Sequence, residues 1–197
     1  MDRRPGARWK AAFFVATLCL TGAALPVCQC HAEIYTFDTK ATDIRFTYRM
    51  GPLPQSGRFA EVKGMVEFNE RAPERSRVDA VINAASLTAG PTVEDELKGE
   101  GFFNVAVQPE IRFRSRTIKA AASNNAEVLG DLTMNGVTQP VTLQVMFYPK
   151  GASMLAAAGP FFSATTRIKR SAFNMTAYPM LVADDVEIQI DAQLRKK

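Results

Sequence analysis

Apolar and polar side chains alternate with a period of two along most of this chain, and helical spacing is almost absent. Ile44, Phe46, Tyr48 and Met50 fall on one face of a strand, while Arg45, Thr47 and Arg49 take the other. That pattern suits an antiparallel sheet with one dry and one wet side. Val62, Gly64, Val66 and Phe68 repeat it, as do Val78, Ala80, Ile82 and Ala84, although Val81 on the opposite face blurs the contrast. Ile111, Phe113, Ser115 and Thr117 alternate with Arg112, Arg114 and Arg116, whose guanidinium groups are expected outside in solvent. Asn135-Gly136 tolerates the positive φ of a two-residue hairpin turn, entered by Val128, Gly130, Leu132 and Met134 and left by Val141, Leu143, Val145 and Phe147. Residues 151–159 read as a loop, and Phe162, Ala164, Thr166 and Ile168 as a further strand. Val186, Ile188, Ile190, Ala192 and Leu194 form the last and cleanest one.

With a short segment at 35–38, the pattern predicts eight or nine strands whose connections are mostly too short for parallel crossovers. The helical expectation is limited to a turn or two at 93–98, with Thr92 as N-cap and Glu94, Asp95 and Glu96 in the first turn. An all-β antiparallel fold of this size buries its apolar faces either by closing into a barrel or by folding into a sandwich. Gly64 and Gly130 are candidate bends or bulges for closure, and Pro109 and Pro140 read as edge or strand-start positions.

Composition changes the picture mainly at the N-terminus. Arg3, Arg4, Arg8 and Lys10 precede an apolar run at 11–25, and Cys30-His31-Ala32 places small residues where a leader peptidase reads. The expected organisation is a signal peptide over 1–32 and one barrel domain over 33–197, delivered to the periplasm or secreted. Two details stay open: the exact cleavage site, and lipidation at Cys28, where Leu25-Pro26-Val27-Cys28 carries a bulky Val before the Cys. The apolar run falls short of the ~20 residues a bilayer crossing needs, so stable membrane insertion of the mature chain is not expected.

Cys19, Cys28, Cys30 and His31 all lie in that leader, as does the single Trp. A mature chain from Glu33 therefore has no thiol, imidazole or zinc-thiolate chemistry to offer, and its stability must come from core packing. The whole-chain formal charge of +4 belongs mostly to the leader as well, which removes the basic stripe a nucleic-acid partner would need. Carboxylates remain for acid-base catalysis, in Glu94-Asp95-Glu96 and Asp184-Asp185, but both clusters sit in polar sequence that would not separate their pKa values. No run of ligands suits calcium or magnesium. The expectation is a binder without catalytic residues, metal or obligatory cofactor. An outer-membrane barrel fits poorly, since charged residues occupy one face of nearly every strand.

Six ordered pieces then point to a family. They are Phe37-Asp38; Ala85-Ser86-Leu87-Thr88; Gly101-Phe102-Phe103-Asn104-Val105; Pro109-Glu110-Ile111-Arg112-Phe113-Arg114-Ser115; residues 130–141 around Asn135-Gly136; and Arg170-Ser171-Ala172-Phe173-Asn174-Met175. Together they resemble the YceI family across essentially the whole mature chain. The resemblance implies a lipocalin-like, eight-stranded antiparallel β-barrel, exported, with an apolar tunnel that in some members holds a polyisoprenoid lipid or the tail of a quinone. Relatives usually have Arg, Asp and His before the leucine of Val93-Glu94-Asp95-Glu96-Leu97, and Asp at Asn104, so any polar head-group recognition is expected to differ here.

On this basis the ligand-binding candidates are Phe46, Phe68, Phe113, Leu132, Val145, Phe147 and Phe162 on inward strand faces, with Phe102, Phe103 and Phe173 near the tunnel ends. Ser86 and Thr88 are candidates for a head group or for backbone hydrogen bonds at a strand end. Arg170 and Asn174 are read as gating a tunnel mouth or, preferably, pairing with a carboxylate. The partner expected is a hydrophobic small molecule or lipid, bound by a monomer or homodimer. The competing reading is a ligand-free interaction barrel with a solidly packed interior.

Overall fold

The computed structural model describes residues 32–121, 124–152, 154, 156 and 159–197. The leader expected over 1–32 therefore lies outside the described residues except for Ala32. Among the described residues, eleven strand segments form one antiparallel sheet: β1 (Glu33–Phe37), β2 (Asp43–Met50), β3 (Leu53–Phe59), β4 (Val62–Phe68), β5 (Arg77–Asn83), β6 (Leu87–Ala89), β7 (Glu110–Ala120), β8 (Asn125–Met134), β9 (Val137–Tyr148), β10 (Phe161–Lys169) and β11 (Asp185–Lys196).

Three pairs of segments are halves of long, broken strands. β1 and β2 face β4 and β3 across one hairpin, with Thr36 opposite Met65 and Ile44 opposite Phe59. β5 pairs with β4, and β6 continues past it to pair with β3. Counted this way the wall has eight strands in simple meander order. It closes because one edge of β11 carries β2 along Glu187–Asp191 and β1 along Leu194–Lys196. The chain is an eight-stranded closed antiparallel barrel.

The breaks are held by side chains that replace lost ladder bonds. Ser86 Oγ accepts from the backbone N–H groups of Ala60 (3.1 Å) and Glu61 (3.0 Å) and donates to the Asn83 carbonyl (2.7 Å), so one hydroxyl pins the kink between β3 and β4 to that between β5 and β6. Ser86 is thus a backbone fastener, and Thr88 is exposed on the outer wall. Gly64 has φ +146°, and a β-carbon there would lie 2.1 Å from the Asp79 carbonyl oxygen. At Gly130 a β-carbon would meet the Phe113 ring and the Arg114 carbonyl oxygen at 2.5 Å each, beside the register shift between Ser115 and Thr117. Both glycines permit the close approaches that closure demands.

Asn135 (φ +48°) and Gly136 (φ +75°) form the expected turn between β8 and β9. Arg112, Arg114 and Arg116 point outward onto Glu110, Asp79 and Asp131. Three local expectations need correction. Pro140 is inside β9, opposite Asp131, rather than at a strand start. Counting from the two-residue turn makes it a position that gives no hydrogen bond to β8, and β9 pairs with β10 only from Gln144 onward, so its missing N–H leaves no partner unmet. The helix α1 (Glu94–Lys98) has Val93 rather than Thr92 at its N-cap, without a side-chain bond, because the chain enters through a turn in which Val93 and Glu94 donate to the Gly90 carbonyl. Finally, β3 has no apolar alternation to announce it: Leu-Pro-Gln-Ser-Gly-Arg-Phe buries only Gly57 and Phe59.

Replacing Ser86 with Ala removes three hydrogen bonds at one point and is expected to cost about 1–3 kcal/mol. Urea-induced unfolding should show a lower midpoint with an unchanged slope.

Candidate functional site

Inward side chains from all eight strands surround a cavity of about 480 Å³. That is within the range of roughly 300–1,000 Å³ typical of small-molecule sites. Nearly all of its wall is hydrocarbon. The lining includes Ala80, Ile82, Ile118, Val128, Val145 and Ala164. Small residues among the larger ones leave the void open: facing alanines cannot reach one another across an eight-stranded barrel, whose interior is just wide enough for filling by large side chains.

Aromatic rings gather at both poles. At one, Phe103 packs edge-on against Phe46 (5.6 Å between centroids) and Phe59 (5.3 Å). At the other, Phe68, Phe147 and Phe162 form a half-buried trio with centroid separations of 4.6, 4.8 and 5.6 Å. Polar lining is confined mostly to the ends, with Glu70, Ser76 and Asn124 near the phenylalanine trio and Arg170 at the opposite pole.

The sequence-derived candidates can now be placed. Phe46, Phe68, Phe102, Phe103, Phe113, Leu132, Val145, Phe147 and Phe162 all line this cavity. Phe173 does not. It ends the 3-10 turn Arg170–Phe173, is 1% exposed, and borders an outer groove between β9 and β10, where its carbonyl accepts from Asn135 Nδ2 (3.2 Å). It is packed within the main buried apolar cluster without facing the void. Among the residues not nominated as lining are Phe59, which lies on the unforeseen β3, and Arg170. For Phe59 the available signal was Gly51-Pro52 as a hairpin turn immediately after β2.

A family model of the YceI-like domain matches residues 35–194, nearly all of the barrel. The chain belongs to the YceI family. Protein YceI of Salmonella agona (strain SL483) is 29% identical over 184 residues, covering 91% of this chain and 93% of that protein. A UPF0312 protein of Ectopseudomonas mendocina (strain ymp) is 29% identical over 159 residues, 79% of this chain and 83% of its own. Among solved structures, Burkholderia cenocepacia BcnA matches with a TM-score of 0.73 at 25% identity, covering 81% of this chain and 99% of that one. A polyisoprenoid binding domain from Saccharophagus degradans, implicated in plant cell wall breakdown, matches with a TM-score of 0.61. It covers 85% of this chain and all of its own, and at 15% identity the likeness is one of fold alone.

In this YceI-family barrel, two segments cap the Phe103 pole. One runs from α1 through Asn104, whose φ of +48° asks for a residue that tolerates the left-handed region. The other follows the 3-10 turn, and the two meet where Ala177 N–H donates to the Gly101 carbonyl (3.3 Å). Arg170 holds the second cap. Its Nη1 donates to the Met175 carbonyl (2.7 Å), Nη2 to Val182 (3.0 Å) and Nε to Ala183 (3.2 Å), while its guanidinium lies 5.9 Å from the Phe102 ring centre. The expected carboxylate partner is replaced by three main-chain oxygens, which fix both stems of the 175–183 loop. A guanidinium is suited to that task because its donors form a planar fork.

Asp184 completes the arrangement. It accepts from the Ser171 N–H (2.9 Å) and hydroxyl (2.9 Å), and these bonds, with Lys169 and Arg170 nearby, hold its carboxyl below the usual aspartate range. Glu94 is likewise occupied, by Lys98 Nζ (2.7 Å) and the Ala89 N–H (3.2 Å). Neither acid cluster faces the void, and among the described residues no group of His, Cys, Asp and Glu is arranged to hold a metal.

Replacing Arg170 with Met strands three carbonyls and is expected to cost about 3 kcal/mol in denaturant unfolding. Asp184→Asn tests the pH dependence. A lowered carboxyl pKa contributes stability above the ordinary aspartate value and loses it as pH falls through the lowered one. The wild type should exceed the variant by up to about 1 kcal/mol at neutral pH, the discounted worth of an exposed pair, and the gap should close in acid.

Proposed function

We propose that this protein is an exported carrier that holds a long apolar molecule, a polyisoprenoid lipid or the tail of a quinone, in the barrel cavity. The observation that carries the reading is the 480 Å³ void with its hydrocarbon wall. A solidly packed interaction module would have no such space. The ligand contacts come from Phe46, Phe68, Phe102, Phe103, Phe113, Leu132, Val145, Phe147 and Phe162, which line it. The solved relative described as a polyisoprenoid binding domain supports the ligand class through its shared fold. No bond is made or broken in this function.

Magnitudes favour a long guest. Each buried methylene contributes about 0.8 kcal/mol, so one five-carbon prenyl unit contributes about 4 kcal/mol before costs. Association itself costs roughly 4–15 kcal/mol in lost freedom. One unit therefore barely binds, whereas several bind well without any polar contact. Export rests on the leader pattern of 1–32, and protein recovered from the periplasm is expected to begin at Glu33 when its intact mass is measured.

Prenols of one to eight units, titrated against a bound apolar dye, should displace it with an affinity that rises with chain length. Ala80→Phe and Ala164→Phe, which thrust rings into the void from opposite walls, should weaken the longest prenol about tenfold or more, a loss of about 1.4 kcal/mol. Their melting temperatures should stay close to that of the wild type. Affinity independent of length, or unchanged by either ring, contradicts the proposal.

A further inference from the structure

The loop stapled by Arg170 carries an apolar tip. Met180 is 99% exposed, and Tyr178 and Leu181 are about half exposed. Leu53, at the start of β3, is exposed beside them, because the Gly51 N–H donates to the Leu181 carbonyl (2.8 Å) and Met50 bridges to Val182. Prolines 52, 54 and 179 stiffen both loops. Tyr178 is held at φ +50°, a strained conformation for a bulky residue, and such strain persists where surrounding structure enforces it. Folding alone gives no reason to spend a strained backbone and a buried guanidinium on holding hydrocarbon out in water.

The two segments that build this tip carry no charge of their own. Residues 171–183 and 50–57 contain no Asp, Glu, Lys or Arg, in a chain that is 22% charged. The cation at its collar is Arg49, whose guanidinium donates to the Pro52 carbonyl (2.9 Å). An apolar point with an arginine at its side suits the hydrocarbon boundary of a bilayer with its phosphates just above. The acidic first turn of α1 stands at the same pole, where Tyr178 bonds to Glu96, so net attraction to anionic lipid is not what the surface provides. Met175 and Val182, at the two stems of the loop, also line the cavity, so the tip and the void share one wall.

From this placement we infer that the loop tip formed by Leu53, Met180 and Leu181 docks the protein onto a lipid bilayer by inserting apolar side chains at the headgroup boundary. Its use in loading rests on the carrier reading above, but docking is testable without any cargo. The probe is flotation of the purified protein with phosphatidylcholine vesicles free of prenyl lipid. Wild type should float. The pair Met180→Asp and Leu181→Asp, and separately Leu53→Asp, should lower the floated fraction about tenfold, since each puts a charge where burial of hydrocarbon drives binding. Met154→Asp is the control: that residue is 96% exposed but sits at the opposite pole, in the β9–β10 connection, and should float as wild type does.

Raised salt should change little. Wild type that stays in solution, an Asp pair that floats undiminished, or flotation abolished by salt overturns the inference. So does a tip that proves to join two copies, seen as a dimer by light scattering that the Asp pair converts to monomer. Prenol binding measured in the same variants separates the two proposals: intact binding with lost flotation leaves the carrier standing and assigns the tip to the membrane.

Discussion

Closure of the sheet governs everything else in this molecule. Once β11 carries β10 on one edge and shares the other between β1 and β2, the perimeter is fixed at eight strands, and the ladder is interrupted chiefly where β9 and β10 part before Gln144. The inward faces must then fill a space of set diameter. Large residues on every inward position would fill it. Here Ala80, Ala126, Ala164 and Ala192 alternate with aliphatics and aromatics, and the wall stands around a void instead of meeting across it. The same alternation that excludes water from the interior makes that interior suited only to hydrocarbon.

Closure also sets the demands met by the less regular residues. Long strands must bend to wrap a narrow barrel, and each bend breaks a ladder whose orphaned groups need partners. Ser86 serves two of the bends at once, and Gly64 lets two backbones approach where the wall is tightest. At one pole the open end is covered by α1 and the 175–183 loop, and the latter is kept in place by a guanidinium in the wall. At the other pole the covering is the ring trio of Phe68, Phe147 and Phe162. The two ends therefore differ in kind: a buried guanidinium fixes the cover of one, and a cluster of rings stands at the other beside the turn tied by Asn69 and Ser76.

Period-two alternation exposed eight strand segments and their inward faces, beside the short one at 35–38, because burial on one side imposes that period directly. The Asn135-Gly136 turn was legible for an equally local reason, since few residues accept its backbone angles. What the pattern could not reveal were features set by neighbours distant in sequence. β3 lacks a side chain at Gly57, which breaks its alternation, because Phe46 fills the space there. Pro140 is tolerated inside a strand only because β10 diverges at that level. Arg170 looks like an ion-pair residue in sequence, and its carbonyl partners at Met175, Val182 and Ala183 are brought to it by the loop's return. Phe173 belongs to the right motif but is buried in the packed core and does not line the void.

Within the YceI family, then, the functional claim reduces to whether the void is occupied by hydrocarbon in the cell. Native mass spectrometry of the protein purified from its own host, without detergent, reads this most directly. The account predicts a complex heavier than the bare chain by the mass of one long-chain prenyl lipid, released on denaturation. Protein that emerges at the bare mass, and remains so after incubation with prenyl lipids, would contradict it.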